Sequence, residues 1–254
     1  MHLRGIARHP AAYIYGAYLD WLYTQEPDFK DNPHSSWLAD LKELHARRAP
    51  GNTCLSALRG GKQGTMDEPL NNSKGCGGVM RVAPMGLFFN DGDDAAVEAA
   101  QVAAITHGHP LGYIPAAALA YIVHRCAMEI EPDCKHRRRL FKGIIDDCCK
   151  KLPTWFPRHA RAASYMAELL QKALDLSKHD EWSSRNIREI GEGWVGEEAL
   201  AIAVYACMRH TNDFGKAIIV AVNHDGDSDS TGAIAGNIMG AMHGLSGIDD
   251  KWLE

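Results

Sequence analysis

Residues 197–208 read EEALAIAVYACM, and residues 114–123 read IPAAALAYIV. Both stretches are apolar nearly all the way round a helical wheel, and a helix of that kind belongs in the middle of a bundle, because it has no face to give to water. Working outward, further alanine-rich apolar segments recur at 95–105, 161–176, 216–222 and 232–242. Alanine and leucine favour helix, and most of these segments are too long for strands. Alternating Val/Ile/Thr/Tyr patterns are scarce. Polar stretches bearing Gly or Pro separate the segments, notably 52–78, 131–139 and 178–193. None is a low-complexity linker and no internal repeat is visible. The expectation is an all-α chain, with residues 1–254 forming one helical domain.

Composition narrows the class. Apolar residues make up 46% of the chain, enough for a sizeable core. The net charge is -5. The only concentrated basic run is KHRRR at 135–139, read here as a solvated loop in a polar connection. A nucleic-acid surface would need basic residues spread along one face. Seven cysteines without framework spacing, and no apolar signal stretch, point to reduced thiols and a cytoplasmic location. No stretch is read as approaching the ~20 apolar residues of a membrane span.

The most informative polar stretch is HDGDSDSTG at 224–232. Three carboxylates, Asp225, Asp227 and Asp229, alternate with other small residues and run straight into an apolar helix. Helix capping accounts for one such residue, but carboxylates this close repel unless a cation or proton neutralises them. Oxygen ligands with no cysteine beside them in the sequence point to Mg2+, Mn2+ or Ca2+. An EF-hand starting at Asp225 would need Gly sixth and Glu twelfth. Those positions hold Ser230 and Gly236, so that reading fails. In the helix that follows, Gly232, Gly236 and Gly240 form a small-residue stripe, the mark of a crowded centre.

The stretch SKGCGGVMR at 73–81 places three glycines in four residues. Glycine lets backbone N–H groups approach an anion, so a phosphate cradle stands beside a simple turn as the two readings. Neither the Walker loop nor the dinucleotide fingerprint is present. Cys76 has no base partner identifiable by spacing and is read as a buried, inert thiol. His107 and His109 flank a glycine at a helix end. Zinc binding there competes with hydrogen bonding to last-turn carbonyls. The group Cys134, His136, Cys148 and Cys149 lacks paired zinc spacing.

Taken together and in order, GNTCLSAL (51–58), SKGCGGVMRVAPMGL (73–87), ITHGHPLGY (105–113), GWVGEEALAIAVY (193–205) and DGDSDSTGAIAGNIMGA (225–241) resemble the ADP-ribosylglycohydrolase family along essentially the whole chain. The resemblance implies an orthogonal all-α bundle around a binuclear Mg2+ or Mn2+ centre. It also implies hydrolysis of the glycosidic bond joining ADP-ribose to a protein side chain or small acceptor. Carried over position by position, it makes Asp227, Asp229 and Ser230 metal ligands. It makes Ser73, Gly75, Cys76, Gly77 and Gly78 the loop that holds diphosphate and ribose, and places His107 near the ribose. ADP-ribose or an ADP-ribosylated substrate is then the expected partner, with no membrane and no strong nucleic-acid signal.

Family members also carry a Thr-Asp-Asp-Thr/Ser block near the N-terminus that supplies the remaining ligands. The Asp pairs here (93–94, 146–147 and 249–250) have no preceding Thr. The resemblance thus implies that residue 1 corresponds to a point some tens of residues into a family member. No catalytic acid or base is assigned. Three functions follow: a hydrolase with a shortened sequence, an inactive ADP-ribose-binding or regulatory protein with an incomplete metal centre, or a structural protein reusing the fold.

Overall fold

The computed structural model describes residues 9–26, 36–129, 135–179 and 183–253. Eleven α-helices are present among them: α1 Pro10–Gln25, α2 Asn52–Arg59, α3 Ala83–Phe88, α4 Gly92–Ala104, α5 Pro110–Glu129, α6 Arg137–Trp155, α7 Ala160–Leu176, α8 Ser183–Ile190, α9 Gly196–Arg209, α10 Phe214–Val222 and α11 Ser228–His243. Short 3-10 turns join several of them. The only β-type pairing among the described residues is a single antiparallel bridge between Gly75 and Val195. The chain is all-α.

The two stretches that are apolar all round form the centre. Helix α5 is buried from Leu111 through His124, and α9 is buried at Gly196, Glu197 and from Ala199 through Met208. They pack on each other, and both pack on α7 and α11. Alanines at 116–118, 199, 201, 203 and 206 are fully buried. Their small side chains let the helix axes come close, while Tyr113, Tyr121 and Tyr205 fill the wider gaps. One contiguous apolar cluster runs from Ala11 of α1 to Met242 of α11.

Several expectations are corrected. The polar stretches 52–78 and 178–193 contain helices α2 and α8. In α8 the apolar positions Ile187 and Ile190 lie on one buried face of an otherwise polar segment, too short a pattern to stand out. The basic run is not all loop, since Arg137, Arg138 and Arg139 open α6. Helix α5 is, by length and composition, long and apolar enough to cross a membrane, contrary to expectation. Its apolar window is 78% buried inside the fold, so core packing accounts for it. The glycine stripe of α11 does not mark the crowded face. A Cβ on Gly232 would meet Val222 of α10 at 2.7 Å, but one on Gly240 would meet nothing within 4 Å. The buried face is Ile234, Ala235, Ile238, Met239 and Met242, because long apolar side chains exclude more water than glycine.

Candidate functional site

Six segments of the sequence meet at a cavity of about 650 Å3. They are the end of α1 with the 49–58 segment, the glycine loop, the turn after α4, and the start of α11 with the turn before α9. Of the residues singled out from sequence, Gly75, Cys76, Gly77, His107, Asp227, Asp229 and Ser230 line it. Ser73 and Gly78 lie behind the wall. Ser73 Oγ accepts from the Gly75 N–H (3.4 Å) and lies 3.3 Å from Thr53 Oγ1. Gly78 is a packing residue, since a Cβ there would stand 2.6 Å from the Gly112 carbonyl.

Backbone hydrogen bonds fix the glycine loop. Cys76 N–H donates to Trp194 O (3.2 Å), and Gly196 N–H donates to Lys74 O (2.8 Å). The Lys74 ammonium pairs with the buried Glu197 in the first turn of α9. On the other side Asn71 acts as a strut. Its amide donates to Thr106 O (2.9 Å), and its Oδ1 accepts from Ser73 N–H (2.9 Å) and Gly108 N–H (3.2 Å). The loop is therefore held rigidly between α9 and the 106–108 turn, as a preorganised binding element requires.

The acidic run divides. Asp225 points outward to Arg188, 2.6 Å away, with both side chains largely exposed. Asp227 and Ser230 are buried. Gly226 makes the turn possible, because any Cβ there would collide with the Glu192 carbonyl, and Asp227 N–H donates to that same oxygen (2.8 Å). Asp227 occupies the N-cap position of α11, yet its side chain makes no capping hydrogen bond. It accepts instead from Cys76 Sγ (2.8 Å), which in turn accepts from Ser230 Oγ (3.2 Å). Simple capping does not explain these residues. Burial raises the Asp227 carboxyl, but hydrogen bonds with Asp229, Cys76 and Ser230 outweigh it and hold it low. The shared hydrogen bond with Asp227, then burial, pushes Asp229 up. Burial and Asp227 push the Cys76 thiol to about 11, which keeps it protonated and a poor nucleophile.

A carboxylate pair of this kind, beside a hydroxyl, suits a hard divalent cation or a shared proton. The residues fit one side of such a site. Among the described residues no three His, Cys, Asp or Glu side chains converge as a metal cluster. Cys134 lies outside the described residues, Cys148 is buried in α6, and Cys149 Sγ reaches Ala167 O at 3.6 Å.

His107 is buried, and a hydroxyl and a guanidinium stand in line beside it. The Arg81 guanidinium, which can only donate, reaches Thr106 Oγ1, and Thr106 Oγ1 lies 2.8 Å from His107 Nδ1. The threonine accepts from Arg81, and its hydroxyl shares a hydrogen bond with Nδ1 whose direction is set by the tautomer of the ring. Nε2 is the ring atom nearest the Cβ direction of Gly75. Burial, then the charge of Arg81, depresses His107 to about 3, so the ring is neutral. His109 works differently from expectation. Its Nδ1 accepts the Leu111 N–H (3.0 Å) at the start of α5, capping the following helix, with no bond to last-turn carbonyls of the preceding one.

The remaining lining residues include several that the motif reading did not single out. Arg81 carries the only positive charge among the described lining residues and stacks on Tyr18, 4.7 Å from the ring centroid. Tyr18 and Trp21, one turn apart on α1, and the exposed Trp194 add aromatic surface. The i,i+3 aromatic pair and the Gly-Trp step were available signals. Neither identifies a cavity without the fold.

The sequence profile described as ADP-ribosylglycohydrolase matches residues 2–254. The chain belongs to the ADP-ribosylglycohydrolase family. It is 25% identical over 201 residues to ADP-ribosylhydrolase ARH3 of Homo sapiens, covering 72% of this chain and 53% of that protein. It is 28% identical to the uncharacterized protein YegU of Escherichia coli (strain K12), covering 77% and 57%. It is 26% identical to the ADP-ribosyl-[dinitrogen reductase] glycohydrolase of Rhodospirillum rubrum, covering 80% and 58%. The chain thus spans about half the length of the curated relatives it matches.

Proposed function

We propose that this member of the ADP-ribosylglycohydrolase family is a hydrolase that releases ADP-ribose from a protein side chain or small acceptor, with Mg2+ or Mn2+ held in part by Asp227, Asp229 and Ser230. The observation that carries the reading is convergence. The glycine loop, His107 and the acidic pair, up to 154 residues apart, share one cavity whose size lies within the ~300–1,000 Å3 of small-molecule sites. Two relatives named as hydrolases of ADP-ribosyl linkages support it. A cytoplasmic location belongs to the same reading, in keeping with the six cysteines among the described residues, all free.

In this reading the glycine loop and Arg81 hold the diphosphate, and the aromatic wall shields the ribose from bulk water. His107 Nε2–H donates to a ribose oxygen. The carbon–heteroatom bond at the anomeric carbon breaks, water adds its hydroxyl there, and its proton goes to the departing acceptor. The negative field of Asp227 and Asp229 stabilises the positive charge that develops at that carbon. A bound divalent cation would supply Lewis-acid polarisation and orientation of water. Remote diphosphate contacts orient the reacting ribose.

The second reading, an ADP-ribose-binding protein without turnover, is favoured by the lack of a three-residue metal cluster among the described residues. One experiment separates the two. Peptides ADP-ribosylated on arginine or serine are incubated with the chain and Mg2+, free ADP-ribose is measured by chromatography, and ADP-ribose binding is measured by calorimetry. Release that disappears in Asp227→Asn with Asp229→Asn supports the hydrolase. Binding without release supports the second reading, and neither signal removes both.

A further inference from the structure

The basic run that the cavity does not use borders a second concavity. An open basin of about 440 Å3 is lined by Lys135, His136, Arg138, Arg139, Lys142 and Lys178. These side chains come from the turn before α6, from α6 itself and from the turn after α7. No carboxylate lines it among the described residues. Asp146 and Asp175 pair with Lys142 and Lys178 from outside the wall, which leaves Lys135, Arg138 and Arg139 without an ion pair among the described residues.

The surroundings reinforce the positive potential. The first turn of α6 carries three arginines, no acidic residue and no side-chain cap at His136. The helix dipole already makes that end positive, so the arginines add to the field where acidic residues would offset it. Two of the arginines are anchored. Arg137 donates to Asn212 Oδ1 (3.0 Å), and Arg138 donates to Met208 O (2.7 Å) at the last turn of α9. These bonds fix the floor and leave Lys135 and Arg139, both exposed, to face solvent. The basin sits at the far end of α9 from the glycine loop.

We propose that this basin binds a small, multiply charged phosphate anion of the polyphosphate class. Guanidinium groups match phosphate oxygens in two-pronged geometry, and the basin is a concave pocket of small-molecule size. A nucleic acid needs a basic stripe and stacking platforms along its path. This site supplies one concavity with no Phe, Tyr or Trp lining it among the described residues. The proposal stands independently of the reaction assigned to the cavity.

The test is calorimetric titration of inorganic tripolyphosphate into the full chain at low salt. The parent should bind, and added salt should weaken binding because the charges are exposed. Lys135→Glu with Arg139→Glu should weaken the affinity about tenfold or more, the equivalent of one charge-assisted hydrogen bond. The milder Lys135→Gln with Arg139→Gln should shift it in the same direction. Asp227→Asn with Asp229→Asn should leave it unchanged. Both basin positions are exposed, and circular dichroism verifies that the variants fold. No heat in the parent overturns the proposal. So does heat that survives charge reversal, which would belong to the cavity, and so does tighter binding of a single-stranded oligonucleotide than of tripolyphosphate.

Discussion

The two ends of α9 hold charge in opposite ways. At the glycine-loop end, polar groups from distant segments interlock with at least one partner of each set buried: Lys74 with Glu197, Cys76 with Asp227, Arg81 with Thr106 and His107. Burial there moves protonation equilibria far from their ordinary values, as His107 and Cys76 show. At the Arg209 end, the charges come largely from one helix start and its neighbour and remain exposed. The difference teaches that a dense charge pattern in sequence says little about how charge acts. Burial decides whether a charged group becomes a fixed dipole for chemistry or a screened attractor for ions.

The helix that joins the ends gives the largest effect. Leu200 is fully buried in α9, so Leu200→Ala removes packing that both ends depend on. The expected loss is about 2–5 kcal/mol, read from urea unfolding. A loss well under 1 kcal/mol would mean that α9 is not the shared support.

Acid separates the two ends next. The unfolded chain binds the histidine proton near a pKa of about 6.5, whereas folded His107 refuses it until about 3. Throughout that window the unfolded state holds more protons, so stability falls as pH falls. The contribution is about 1.4 kcal/mol per pH unit. His107→Gln should remove that increment from the stability-versus-pH curve between about 6 and 4. Parallel curves for parent and variant would place His107 in a far wetter setting than the cavity wall.

The central helices were legible in the sequence because 114–123 and 197–208 are apolar on every face, and one physical rule places such segments inside. The acidic pair was legible because close carboxylates demand compensation wherever they lie. Helices α2 and α8 were not, since eight residues give barely two turns of pattern. Nor was the partner of Cys76, which lies 151 residues away in Asp227. The roles of Asn71 and Thr106 escaped for a related reason. Each acts by bonding to backbone or side chains that only the fold brings near, and a polar residue in a loop carries no mark of that.

Thr106→Val tests the relay at the cavity end with a smaller effect. The substitution keeps the shape and removes the hydroxyl, leaving Arg81 without one acceptor and His107 Nδ1 without its hydroxyl partner. Stability should drop by about 1–3 kcal/mol. Nitrogen-15 NMR should show His107 as the Nε2–H tautomer in the parent and a mixed population in the variant. An Nδ1–H tautomer in the parent would reverse the direction of the relay and remove His107 Nε2 as a donor to ligand.

The smallest effect lies within the acidic run itself, where a single residue, Gly226, separates a buried carboxylate from a solvated one. Asp225 and Arg188 are 76% and 70% exposed, and exposed ion pairs contribute about 0–1 kcal/mol. Asp225→Ala should therefore change unfolding stability by less than about 0.5 kcal/mol. It should also leave a calorimetric Mg2+ or Mn2+ signal intact, whereas Asp227→Asn with Asp229→Asn should abolish that signal. Loss of the cation signal in Asp225→Ala would show that the whole run acts as one ligand set. That result would overturn the division drawn at Gly226, where the chain turns against Glu192 and sends one carboxylate out and the next two to the cavity.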